Sequence, residues 1–231
     1  MHTGGDKDID YFLDAIVKAS KEAGMTEEEI RAKRHTFDHS TGSPRPDQIP
    51  IMKRLGMMDG MDVLLLWENH LPTDAAVVAR NYGIEYTSWN QPRRSVTQGG
   101  VMSTTELDRP VPHKLFYSVY KAITRFDDRT NQVYGPGERS DRVTELKSLT
   151  RWGSYYVLRE NSLGTLEAGK LADFVVLDRD YLTIPEDDIP NVKVLMTVVG
   201  GKTVHLMPAL GQEIGMPPVG PITWETKPDG W

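Results

Sequence analysis

Residues 1–158 of this 231-residue chain read as a mixed α/β fold with parallel strands, and residues 159–231 as a β-rich closing segment. Three observations carry that reading. Apolar runs of strand length alternate with amphipathic helical stretches up to about residue 158, the order that sets strands side by side with helices crossing between them. A Gly-bounded turn then leads into Phe174-Val175-Val176-Leu177, and Val192 to Met207 follows as two more apolar runs joined by Gly200-Gly201. Composition permits a real core: 39% of residues are hydrophobic and 26% charged, as in ordinary globular proteins.

The elements follow in order. Residues 8–23 place Ile9, Leu13, Ile16 and Val17 at helical spacing, and Gly24 stops the run. Thr26 and Glu29 form a capping box for a second helix ending near Arg34. His35 to His39 reads as a short strand running into Ser-Thr-Gly-Ser-Pro, and Asp47 to Leu55 as a helix stopped by Gly56. Met61 to Trp67 reads as a strand, Thr73 to Asn81 as a helix with Gly83 behind it, and Gly100 to Thr105 as the next strand. Pro112 to Arg125 is helical, with Leu115, Val119 and Ile123 on one stripe. Asp127 to Arg139 reads as a polar loop. Ser140 is expected to cap a helix through about Leu158, with Val143, Leu146, Leu149 and Val157 inward and Trp152, Tyr155 and Tyr156 in the core. Beyond Pro208 the Pro- and Gly-rich chain reads as a tail laid over a surface.

Charge and composition narrow the function classes. A formal net charge of −6 and the lack of a Lys/Arg cluster argue against nucleic acid. No apolar run approaches the roughly 20 residues that span a bilayer, so no membrane partner is expected. Zero cysteines exclude disulfides and Cys-ligated zinc and fit a reducing, cytoplasmic compartment.

The polar residues at strand ends are the candidates for chemistry. His2 precedes the first helix in Met1-His2-Thr3-Gly4-Gly5-Asp6; on spacing alone it reads as an exposed, unpaired imidazole. Gly5 suits a sharp turn, and Asp6 either orients the imidazole or caps the helix. Alternation puts His35, Phe37 and His39 on one face of their strand, where a packed structural His is the plain alternative. Asp108 follows the strand at Gly100 to Thr105; it serves chemistry, caps the next helix or pairs with Arg109, and Glu106 is a rival acid. His70 follows the apolar run Met61 to Trp67, positioned to touch substrate or an oxyanion, or simply lies in a solvated loop.

Gly164-Thr165-Leu166-Glu167-Ala168-Gly169-Lys170-Leu171-Ala172-Asp173-Phe174-Val175-Val176-Leu177-Asp178 resembles the closing segment of the amidohydrolase superfamily. His2-Thr3-Gly4-Gly5-Asp6 is similar to that family's fifth-strand end, with Thr3 and Gly4 departing from it. Asp38-His39 is similar to its sixth-strand pair, with Asp in place of the more usual Glu. Pro46 to Gly56 resembles the following helix, and Asp108-Arg109-Pro110-Val111 has the spacing of its eighth-strand end. The resemblance implies the C-terminal half of a (β/α)₈ TIM-type barrel over residues 1–158, and part of a small β-sandwich appendage with a tail over 159–231. It implies His2 and His39 as metal ligands and Asp108 as a ligand or the catalytic base.

The resemblance also implies hydrolysis of a non-peptide carbon–nitrogen bond in a small molecule. Zn²⁺ or another divalent metal, as one or two ions, acidifies water, and a neighbouring carboxylate takes the proton. The six histidines include no His-x-His pair, which the family carries on its first strand. The chain therefore resembles part of an enzyme, with an inactive remnant or the C-terminal subunit of a split enzyme as alternatives. Half a barrel would carry two bare strand edges, inviting a second copy or a polypeptide bearing the other half.

Overall fold

The computed structural model describes residues 1–40, 44–63, 74–107 and 115–221. Its central sheet contains β1 (Thr36–Phe37), β2 (Met58–Met61) and β3 (Met102–Thr105), paired in that order and all parallel. Phe37 lies opposite Asp59, which lies opposite Ser103. Residues 1–3 add a fourth parallel segment. His2 bridges to Asp38, the Asp38 amide donates to the Met1 carbonyl at 2.9 Å, and the Thr3 amide donates to the Asp38 carbonyl at 3.2 Å. Because all four segments run the same way, their C-terminal ends meet at one rim.

Helices cover the sheet. α1 (Asp6–Glu22) buries Ile9, Leu13 and Ile16, while Val17, expected inward, is exposed. α2 (Glu27–Ala32) has both halves of the Thr26/Glu29 capping box. α3 (Ile49–Leu55) stops at Gly56, whose φ of 66° an L side chain rarely adopts. These helices share one core with Phe37, Met61, Val96 and Val101. The predicted strand from Met61 to Trp67 lies earlier, at Met58–Met61; Val63 is buried, and residues 64–67 lie outside the described residues. Asp74 caps α4 (Ala75–Tyr82), and two short helices the pattern does not announce, α5 (Ile84–Ser88) and α6 (Arg93–Gln98), complete the crossover to β3.

α7 (Leu115–Thr124) packs Val119, Tyr120 and Ile123 against Tyr181 and Ile189, tying the first part of the chain to the second. The stretch read as a plain loop holds a hairpin, β4 (Phe126–Asp127) with β5 (Gln132–Val133).

The long helix expected from Ser140 to Leu158 is two helices, α8 (Arg142–Leu149) and α9 (Arg151–Tyr156), broken at Thr150. Its cap is Asp141, whose carboxylate accepts from the amides of Val143 and Thr144. Val143, Leu146 and Val157 are 50%, 41% and 59% exposed, and α8 instead buries Glu145 and Ser148. The physical reason is the partner surface, the polar edge of β3. Thr104 Oγ1 donates to the Ser148 carbonyl at 2.9 Å, and Thr105 Oγ1 lies 2.7 Å from Ser148 Oγ. Successive strand residues point to opposite faces, so α8 runs along the strand's free edge. An edge expected to be bare is covered. α9 then crosses onto the face carrying Thr36, Gly60 and Thr104: the Tyr156 hydroxyl bonds with Thr36, and a Cβ on Gly60 would meet it at 3.3 Å. Trp152, Tyr155 and Tyr156 are half-buried here, not core.

The closing segment forms an antiparallel sheet of β6 (Phe174–Leu177), β7 (Val194–Val199) and β8 (Lys202–Leu206). Gly200 and Gly201 turn β7 into β8 with φ of 56° and 78°, the pair of positive values a two-residue hairpin needs. The expected tail begins as α10 (Pro208–Ile214). Among the described residues no helix is long and apolar enough to cross a membrane.

Candidate active site at the strand ends

The rim brings His2 and His39 together. Their rings meet edge to face with centroids 4.0 Å apart. His2 is placed by the backbone ladder to β1, reinforced by Thr3 Oγ1 donating to the Asp38 carbonyl at 2.6 Å. His39 follows β1 with φ of 72°, and Ser40 with φ of 50°. This left-handed pair breaks the alternation that had set His35 and His39 on one face. His35 instead packs edge-on against Phe12, where burial lowers its pKa.

Glu106 grips His39 at two points. One carboxylate oxygen accepts from the His39 amide at 2.9 Å. The other lies 2.7 Å from Nδ1, at ion-pair distance but without hydrogen-bond alignment. Gln91 closes the other side, donating from Nε2 to the His39 carbonyl at 2.6 Å. Gln91 is held in turn by Arg125, a fully buried guanidinium that donates to the carbonyls of Asn90, Gln91 and Tyr134. Burial pushes the Arg125 pKa down to about 10.

Beneath the rim lies a buried carboxylate, Asp59. Ser40 Oγ donates to one of its oxygens, and Ser103 Oγ approaches the other at 3.4 Å. Desolvation dominates, and the Asp59 pKa is pushed up to about 6 despite the nearby Arg93 charge. Arg93, also buried, donates to the Ser103 carbonyl and to the hydroxyls of Ser103 and Thr105, each at 3.0 Å. Asp38 Oδ1 is buried with no hydrogen-bond partner.

The predicted site residues thus divide. The structure brings His2 and His39 together and joins Glu106, the rival acid, to His39. Asp108 and His70 lie outside the described residues. Asp6 does not cap α1 with its side chain; its carboxylate binds Arg45 at 2.8 Å, alongside Asp10 and Asp47. Ser40, Asp59, Gln91 and Arg125 were not anticipated. Asp59 carried a signal, a single acid between Met58 and Met61, but Asp-Gly reads first as a turn. Gln91 and Arg125 left no local trace, because their partners are backbone atoms distant in sequence.

In donor chemistry, two imidazoles with carboxylates close by suit a divalent transition metal. Among the described residues no group of three or more His, Asp or Glu side chains is arranged to hold one. A complete ligand set would need a donor from elsewhere.

Fold and rim together define a mixed α/β protein with two histidines meeting where its parallel strands end. Residues 1–205 match the amidohydrolase family, and the chain belongs to it. It is 27% identical over 207 residues to protein LONG AFTER FAR-RED 3 of Arabidopsis thaliana, covering 89% of this chain and 33% of that one. The structure is similar to an uncharacterised metal-dependent hydrolase of Pyrococcus furiosus, with a TM-score of 0.59 and 26% identity over 79% of this chain and 33% of that one. A counterpart from Pyrococcus horikoshii shares the fold, with a TM-score of 0.62 and 22% identity over 80% of this chain and 35% of that one. The chain spans about a third of the length of each of these relatives.

Proposed function

We propose that this chain carries part of the active site of a metal-dependent amidohydrolase that hydrolyses a non-peptide carbon–nitrogen bond in a small molecule. The observation behind this reading is the meeting of His2 and His39 at 4.0 Å on the rim where parallel strands end, with Glu106 clasping His39. Barrel enzymes of this kind place their chemistry at that rim.

In this reading His2 and His39 are the imidazole ligands. Glu106 is the partner that orients His39, leaving Nε2 as the coordinating atom, a role carboxylates commonly play beside metal-bound histidines. Asp108 supplies the third donor or takes the proton from the attacking water, and His70 faces substrate. Zn²⁺, or another divalent ion, as one or two ions, when bound lowers the pKa of water to about 7. Gln91 and Arg125 hold the His39 backbone so that its ring does not swing when substrate enters.

A second reading has its own support: no three-donor group occurs among the chain's described residues. In that reading it is an inactive remnant or the C-terminal subunit of a split enzyme, partnered by a second copy or by a polypeptide bearing the other strands. A zinc titration of the purified chain separates the two. Stoichiometric zinc, lost in His2→Ala/His39→Ala and accompanied by amide turnover, supports the enzyme. Histidine-dependent zinc without turnover supports the remnant or subunit. Failure of the chain to bind zinc refutes the ligand assignment.

A further inference from the structure

A cavity of about 520 Å³ opens between α6 and α8, lined by neither rim histidine nor their partners. Arg94 on α6, Lys147 on α8 and Arg139 ahead of α8 all line it. None of the three has a carboxylate within salt-bridge distance among the described residues, although the chain as a whole is acidic. Arg139 is anchored from behind, its Nε donating to the Thr124 carbonyl at 2.9 Å, which leaves its terminal nitrogens available.

Of the two acids at this cavity, Asp141 is already committed. It accepts from the amides of Val143 and Thr144 and from the Thr144 hydroxyl at 2.6 Å. That leaves Glu186 against three cations. Ser140 also lines the space, and its Oγ is buried with no hydrogen-bond partner. A buried hydroxyl without a partner costs free energy unless something fills the role. Trp152 and Ile123 supply apolar surface beside this polar cluster. Unpaired cations, an idle hydroxyl and an indole in one concavity are complementary to a small organic anion carrying an aromatic ring.

We propose that the cavity between α6 and α8 binds aromatic anions, the phosphate or carboxylate held by Arg94, Arg139 and Lys147 and the ring set on Trp152. The site stands independently of the hydrolase reading. The test is calorimetry on the full chain at fixed ionic strength, with phenyl phosphate, benzoate and phenol as probes. The expected result is saturable one-to-one binding of at least one of the two anions, and none of phenol. Arg94→Ala/Lys147→Ala should weaken that binding about tenfold or more, because two charge-assisted contacts are lost. Ser140→Ala, a smaller change, should weaken it severalfold with the fold intact by circular dichroism. The proposal is overturned if neither anion saturates in the millimolar range, if phenol binds as well as the anions, or if both variants fold and bind like the parent.

Discussion

Asp59→Asn should change how the stability of this protein depends on pH. Asp59 is fully buried and its pKa is raised from 3.8 to about 6, chiefly by desolvation. A carboxyl with a raised folded pKa binds its proton more tightly in the folded than in the unfolded state. Its contribution is therefore most favourable below the unfolded value and is lost as pH rises from about 4 to about 6. A difference of about two units corresponds to about 3 kcal/mol. Asparagine has no such transition and can still accept from Ser40 or Ser103, which hold the carboxylate now. Urea unfolding of both proteins, metal-free, at about pH 4 and about pH 7.5 isolates the effect, because every other titrating group is common to both. The variant should gain on the parent by about 2–3 kcal/mol between the two pH values. A difference that stays constant with pH would show that Asp59 ionises normally and that its burial is misjudged.

Three further outcomes are expected. Glu145→Gln should destabilise the protein by about 1–3 kcal/mol in urea melts, because it removes a buried carboxylate 3.4 Å from the buried Arg93 guanidinium and leaves Asp59 as the nearby counter-charge. Gly56→Ala should cost about 1–3 kcal/mol, since the φ is positive and the new methyl would sit 2.9 Å from Arg31 Cβ. Glu106→Gln should weaken zinc binding about 10–100-fold in a chelator competition while leaving the urea midpoint nearly unchanged, the pattern of a carboxylate that orients a ligand; unchanged zinc affinity would remove Glu106 from the site.

The sequence alone determined the local features. The Thr26/Glu29 capping box, the stop at Gly56, the turn at Gly200-Gly201 and the inward Ile9, Leu13 and Ile16 of α1 each depend on residues within a few positions of one another. Such features are written in short-range periodicity and backbone preference, and the structure matches them. The two histidines stood out because their segments resemble those of the amidohydrolase family, and Glu106 was visible as a rival to Asp108. Tertiary structure alone decided the rest. Whether His39 faced Glu106 depended on a left-handed turn that no pattern announces. The break at Thr150, and the burial of Glu145 and Ser148 in place of Val143 and Leu146, followed from α8 meeting a polar strand edge rather than an apolar sheet face. Periodicity reports which side chains prefer to leave water, but the surface that receives them is built by residues far away in the chain.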